Sequence, residues 1–260
     1  MSPRAEEAGA GLAETAEQLG AGRAAPPPVT APVAYRLEVV HRYGVPLSNA
    51  TGVACEGEYV WLMGGAHNAS TNTLVHANLA TGAIDRTYTY ENLIEQLGTG
   101  VYGIAKLDDT IYVSVAGNTN KIVSIDAQSG TVVKENQAPT TLGPSDLDVS
   151  DGKLVQSSGT GDVYTLEPTT GALLADFSAG DSGRNYGVAV RGGEAFVGSL
   201  FGGMDVFVVA SGKLLGHVTK LDGSELEQEK DIGAMCFNGS RLLILSSLGL
   251  AEYEVRAGER

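Results

Sequence analysis

"KIVSIDAQSGTVV", Lys121–Val133, carries an alternating apolar run into an acidic residue, then small polar residues and a glycine, and starts a second apolar run. That pattern encodes a strand, a tight turn and a second strand, because strand side chains alternate faces and glycine tolerates the turn backbone. The phrase recurs as "NTLVHANLATGAIDRTY", "GDVYTLEPTTGALLADF" and "MDVFVVASGKLLGHV". A shorter pair of runs precedes each copy: "GVACEGEYVWLMG", "GIAKLDDTIYVSVAG", "DLDVSDGKLVQSSG" and "GVAVRGGEAFVGS", with "GAMCFNGSRLLILSS" as a fifth. Counted from their first residues, the repeats begin at 52, 103, 146, 187 and 233.

A period of about 40–50 residues with four β-runs per copy predicts an all-β, five-bladed β-propeller of four-stranded antiparallel blades. In the second repeat the strands are expected at Gly103–Lys106, Ile111–Ala116, Lys121–Asp126 and Val132–Asn136. The fifth repeat lacks its outermost strand, since "AEYEVR" ends at Arg256. One strand is spare at the other end, "YRLEVVHRY" from Tyr35 to Tyr43. Closing the ring with that N-terminal strand leaves no open edge on the fifth blade.

Two segments are therefore expected, a tail over residues 1–34 and a propeller over 35–260. The tail is rich in Ala, Gly, Glu and Pro, and two leucines bury too little surface to order it. "AEEAGAGLAETAEQL" can form a short helix that docks on a partner and tethers the domain. The chain carries 17 basic and 31 acidic residues, a net charge of −14, which disfavours nucleic acid and anionic membrane as partners. No apolar run is long enough to span a bilayer, so no membrane insertion is expected. Cytoplasm is the default compartment, or an extracytoplasmic one if a signal is removed before residue 1.

The repeats resemble the YVTN/NHL/quinoprotein-like propellers, whose blades read G-V-A-V, Y-V-A and I-D-x-x-T-G-x-V. More narrowly, "IYVSVAGNTNKIVSIDAQSGTVV" is similar to a blade of the glutaminyl cyclase propellers. In that family the resemblance implies an acidic N-E-L-E-like stretch on the preceding inner strand. Here that place is held by "VYGIAK", without a carboxylate.

Propeller ligands sit where inner strands begin at the channel mouth. Residues expected to converge there are Asn49, His67, Tyr102, Asn118, Ser145, Asp146, Asn185, Tyr186 and Asp231. Amides and two tyrosines suit recognition of a protein or carbohydrate ligand. A transferase or lyase acting on a small polar substrate at the same mouth is the alternative. No catalytic residue, metal or cofactor is expected: His41, His67, His76 and His217 are scattered, and no metal-ligand or phosphate-binding spacing occurs. The acidic loop Asp222–Asp231 does not match a Ca²⁺-loop pattern. The Asn49, Asn68 and Asn238 sequons are no more than composition produces by chance.

Two pairings complete the expectations. Cys55 in "GVAC" and Cys236 in "GAMC" take matching positions and so face the same way round the ring, predicting two buried free thiols. Lys106 and Asp148 are the only charges in the inner apolar set and lie on opposite strand faces. One hand of the ring pairs them between the second and third blades, which is the expectation, and the other turns them apart toward other partners.

Overall fold

In the computed structural model, the described residues are 32–47, 49–65, 71–91, 100–116, 120–139, 144–180, 185–199, 203–220, 226 and 232–258. All fall in one compact unit, Ala31–Arg260. Residues 1–31, with the expected tail helix, lie outside them. Among the described residues no helix is long and apolar enough to cross a membrane.

The fold is all-β. Three sheets are four-stranded antiparallel meanders. The first contains β2 (Ala50–Glu56), β3 (Tyr59–Gly64), β4 (Thr71–Asn78) and β5 (Ile84–Glu91). The second contains β6 (Gly100–Leu107), β7 (Thr110–Ala116), β8 (Lys121–Asp126) and β9 (Val132–Gln137). The third contains β10 (Pro144–Ser150), β11 (Lys153–Ser158), β12 (Asp162–Leu166) and β13 (Leu173–Ser178). The remaining strands are β14 (Asn185–Arg191), β15 (Glu194–Ser199), β16 (Met204–Val208), β17 (Lys213–Lys220), β18 (Ala234–Asn238), β19 (Arg241–Ser246), β20 (Gly249–Ala257) and β1 (Val33–Tyr43). They form one eight-stranded sheet in the order β14-β15-β16-β17-β1-β20-β19-β18. Its two halves are β14–β17 and a closing half, β18–β20 with β1. β1 runs antiparallel to β20 and parallel to β17, so it is bonded along both edges. The repeat pattern gives no sign of the second contact, with β17.

The inner strands pack in a cycle: β2 on β6, β6 on β10, β10 on β14, β14 on β18 and β18 on β2. Glycine permits the close approach. A Cβ on Gly52 would lie 3.0 Å from the Ile104 backbone nitrogen. Both faces of each middle strand are covered, which is why runs such as "RLLIL" and "YVWLM" need no alternation. Trp61, Leu62, Met63, Ile104, Ile111, Ile122 and Phe196 are all at most 1% exposed.

Hairpin register fixes which inner residues are equivalent. Glu56 pairs with Tyr59, Leu107 with Thr110, Ser150 with Lys153, Arg191 with Glu194 and Asn238 with Arg241. Four residues upstream of these turns stand Gly52, Gly103, Asp146, Gly187 and Ala234. The fifth repeat is thus one residue out of step with its apparent match, Gly233. A one-residue slip reverses every side chain. Cys55 consequently faces back and Cys236 forward, into the same apolar cluster with Val53, Leu62, Ala234 and Leu243. They form a disulfide, with Cα atoms 5.8 Å apart across 181 residues. The expectation of two free thiols is corrected: it matched the letters "GVAC" and "GAMC" and missed the slip.

Candidate functional site

Each of the first four inner strands begins with one residue too many. Opposite one residue of the partner strand, Thr51, Tyr102 and Tyr186 are each inserted at a β-bulge, and in β10 the extra residue falls within Ser145–Asp146. Gly233 takes the same place before β18, donating its N–H to the Leu245 carbonyl at 2.9 Å. Bulges leave a residue out of the ladder and re-aim its side chain. They recur at the end of the strands where the sequence places a ligand site. Tyr102 is half-buried and its ring covers Gly100, where a Cβ would lie 3.3 Å away. Ser145 is buried. Asn49 is exposed with φ of 58°, a turn position. Only the backbone of Asn185 and Tyr186 is described. His67, Asn118 and Asp231, with most of the acidic loop, lie outside the described residues.

Below the bulges the equivalent positions hold small residues, except in β10. Asp146, 0% exposed, fills the space that its glycine counterparts leave. Its Oδ2 accepts the N–H of Val188 at 3.1 Å and of Met235 at 2.8 Å. Those donors are the next residue along in β14 and in β18, so one carboxyl ties three inner strands together. Its own N–H donates to the Ser157 hydroxyl at 3.1 Å. A Cβ on Gly103 would collide with Asp146, which explains the glycine there. Burial pushes the Asp146 carboxyl well above the usual carboxylate range, against the opposing pull of these N–H groups.

Two residues on, Asp148 points toward β14. Its Oδ2 accepts the Val190 N–H at 2.6 Å and its Oδ1 the Val149 N–H at 2.8 Å. Burial lifts its pKa to about 7, the two N–H groups opposing. Lys106 has the opposite parity and points back to the first sheet, reaching Glu56 Oε1 at 3.0 Å and donating to the Asp108 carbonyl at 2.6 Å. The expected Lys106–Asp148 pair is therefore corrected: the two side chains diverge and each has another partner.

At the hairpin end of the first sheet lies a constellation that the sequence did not reveal. Glu56 Oε2 accepts the Trp61 indole N–H at 2.7 Å and stands 3.3 Å from His76 Nε2. His76 Nδ1 meets Asp85 at 2.7 Å, and its ring lies between Tyr59 and Trp61, with centroids 4.7 and 4.4 Å away. Burial raises the Glu56 carboxyl, but Trp61, Lys106 and His76 outweigh it and hold it below its usual range. Lys106 and Glu56 are visible as isolated charges in the sequence, yet only the β2–β6 packing brings them together. Among the described residues, no group of three or more His, Cys, Asp or Glu is placed to hold a metal.

Residues 40–208 match the sequence profile of the family described as "Repeat of unknown function (DUF6923)". No curated protein matches the chain in sequence. Among solved structures, the Myxococcus xanthus glutaminyl cyclase is similar at 14% identity and a TM-score of 0.68, over 88% of this chain and all of that one. The designed Ika4 protein is similar at 17% identity and a TM-score of 0.43, over 62% of this chain and 92% of its own. BamB from Moraxella catarrhalis is similar at 18% identity and a TM-score of 0.45, over 81% and 60%. The glutaminyl cyclase likeness places the fold among β-propeller-type repeat proteins.

Proposed function

The chain belongs to the DUF6923 repeat family, and from that premise we propose a five-bladed propeller, closed by β1, that acts as a binding or scaffolding module. The cyclic packing of β2, β6, β10, β14 and β18 supports the ring, and the β1–β20 pairing supports its closure. The ligand is a protein or a carbohydrate held at the channel mouth, and residues 1–34 tether the domain to a larger partner.

The recurring bulge carries this reading. It turns Thr51, Tyr102 and their counterparts out of the ladders at one end, whereas Asp146 is enclosed and engaged by backbone N–H groups. Aromatic and hydroxyl groups on rigid strands suit recognition, since rings offer contact area at little entropic cost. The disulfide favours an oxidising compartment over cytoplasm.

Peptide and glycan arrays probed with wild type and with Tyr102→Ala test the proposal. Loss of the array signal in the variant at an unchanged Tm supports it. Equal binding by both proteins removes the mouth as the site. One observation favours an enzyme as the second reading: Asp148 is lifted to about 7 in a fold similar to that of a glutaminyl cyclase. Cyclisation of a glutaminyl peptide by wild type but not by Asp148→Asn would establish that reading instead.

A further inference from the structure

Four turns lead from a third strand to an outer strand, and each contains a glycine in the left-handed region: Gly82, Gly130, Gly171 and Gly212, with φ of 69, 70, 71 and 64°. Three of them lie under the outer strand of the preceding sheet. A Cβ on Gly130 would collide with Tyr88, on Gly171 with Asn136 and on Gly212 with Phe177. Hydrogen bonds reinforce two of these latches. Tyr88 donates its hydroxyl proton to the Gln128 carbonyl at 2.6 Å, and Tyr90 to the Gly130 carbonyl at 3.0 Å. Lys134 Nζ donates to the Thr169 carbonyl at 2.5 Å.

Gly82 is the exception, with nothing among the described residues within 4 Å of a Cβ built there. Register identifies the residue that would cover it. Tyr88 faces Leu74 and, in the closing half, Tyr43 faces the equivalent Leu250. Tyr43 instead donates to Glu252 of its own sheet at 2.9 Å. This same seam, between β18 and β2, carries the Cys55–Cys236 disulfide, and among the described residues no other seam has one.

We propose that the Cys55–Cys236 disulfide is a redox-operated clasp standing in for the missing outer latch, so that its reduction loosens the β18–β2 seam and leaves the latched seams shut. Cys55 is partly buried and Cys236 is 4% exposed, so a reductant's thiolate approaches from the Cys55 side. A dithiol reductant attacks there and Cys236 leaves as a thiolate. The reductant's second thiol then displaces the mixed disulfide and frees Cys55. Two electrons and two protons pass to the protein, giving two thiols, and the reductant ends as a cyclic disulfide.

The inference rests on the closed-ring reading, and hydrogen exchange of the full chain with and without dithiothreitol separates the two. The clasp predicts that amides of Val53–Cys55 and Ala234–Phe237 lose protection by about tenfold or more on reduction, while Ile104 and Ala105 hold theirs. Unchanged protection at β2 and β18, or an equal fall at every seam, overturns the clasp. Weak protection of β2 and β18 in the oxidised protein instead overturns the ring. Cys236→Ala should show the reduced pattern without reductant and no response to it. A variant with the oxidised pattern contradicts the proposal.

Discussion

The seam between the first and second sheets is latched at its outer edge by side chains, whereas the seam between β18 and β2 carries a covalent bond. In the former, Arg86, Tyr88 and Tyr90 reach over the β8–β9 turn and bond its carbonyls at 2.6 to 3.2 Å. In the latter, nothing among the described residues lies within 4 Å of a Cβ built on Gly82. The crossing contacts there are the Cys55–Cys236 disulfide, the apolar cluster around it and the Asn238 amide donating to the Gly57 carbonyl at 2.8 Å. The difference shows how a repeat ends. Each of the first three copies carries the latch for its successor, but the last outer strand comes from the far end of the chain with another sequence. β1 gives one edge to β17, the other to β20, and Tyr43 to Glu252. On the proposed closed ring, closure then needs a device of its own.

The largest test of that comparison is deletion of the strand serving the closing half. Removing residues 1–31 should leave the melting temperature unchanged. Removing 1–43 takes away Leu37, which is 2% exposed, uncovers its apolar neighbours Val218, Ala251 and Tyr253, and opens the edges of both β17 and β20. We expect insoluble protein or loss of the cooperative transition. Equal melting temperatures for the two truncations would break the comparison at its root.

Next is the covalent half of the seam. Closing a loop of this length corresponds to about 5 kcal/mol in the chain-entropy treatment. The Cys55→Ala, Cys236→Ala double variant should lose a large part of that in urea unfolding under non-reducing conditions. A loss below about 1 kcal/mol would make the disulfide incidental to stability.

The third test concerns the seam between β10 and β14, where Asp148 bonds Val190. Its pKa is about 7 in the folded state, above the ordinary carboxylate value that it has when unfolded. The folded protein then binds the extra proton between about pH 4 and 7, so stability is full below about 4 and falls as pH rises to about 7. The roughly three units of pKa set a ceiling of about 4 kcal/mol on that loss. Asp148→Ala, matching Ala54, Ala105 and Ala189, should flatten the slope across that range in denaturant titrations. An unchanged slope would assign the pH dependence to other carboxyls, Asp146 first.

The smallest effect compares the turns themselves. Gly130→Ala and Gly82→Ala impose the same left-handed strain, about 1 kcal/mol each. Only the former also drives a methyl into Tyr88, so it should cost about 1–2 kcal/mol more. Equal losses would deny the latch.

Much of this was legible in the chain. The recurring Ser-Gly and Thr-Gly turns, the spacing of the runs and the spare strand "YRLEVVHRY" all announce repeated four-stranded sheets. Asp146 stands out wherever "DLDV" is aligned with "GVAC" and "GIAK". The bulges were not legible, because an inserted residue leaves the composition of a strand unchanged while reversing the facing of every later side chain. That is why Gly233, in the bulge position, passes for the counterpart of Gly52 and turns Cys236 the wrong way. Lys106 and Asp148 are matched in true register, and their pairing fails instead on the hand of the ring, which the strand pattern leaves open. The Glu56–His76–Asp85 cluster was hidden for another reason: its members come from three strands and gain their meaning from Lys106 on the adjacent sheet.

The central claim, that the first and last inner strands meet to close a ring, is tested most directly by mapping the cysteines of protein folded under oxidising conditions. Proteolysis of alkylated, unreduced monomer should release one cross-linked peptide pair containing Cys55 and Cys236, with neither thiol labelled. Two alkylated cysteines in monomer folded under oxidising conditions would contradict the account, because thiols whose Cα atoms stand 5.8 Å apart and whose side chains converge oxidise to a disulfide there.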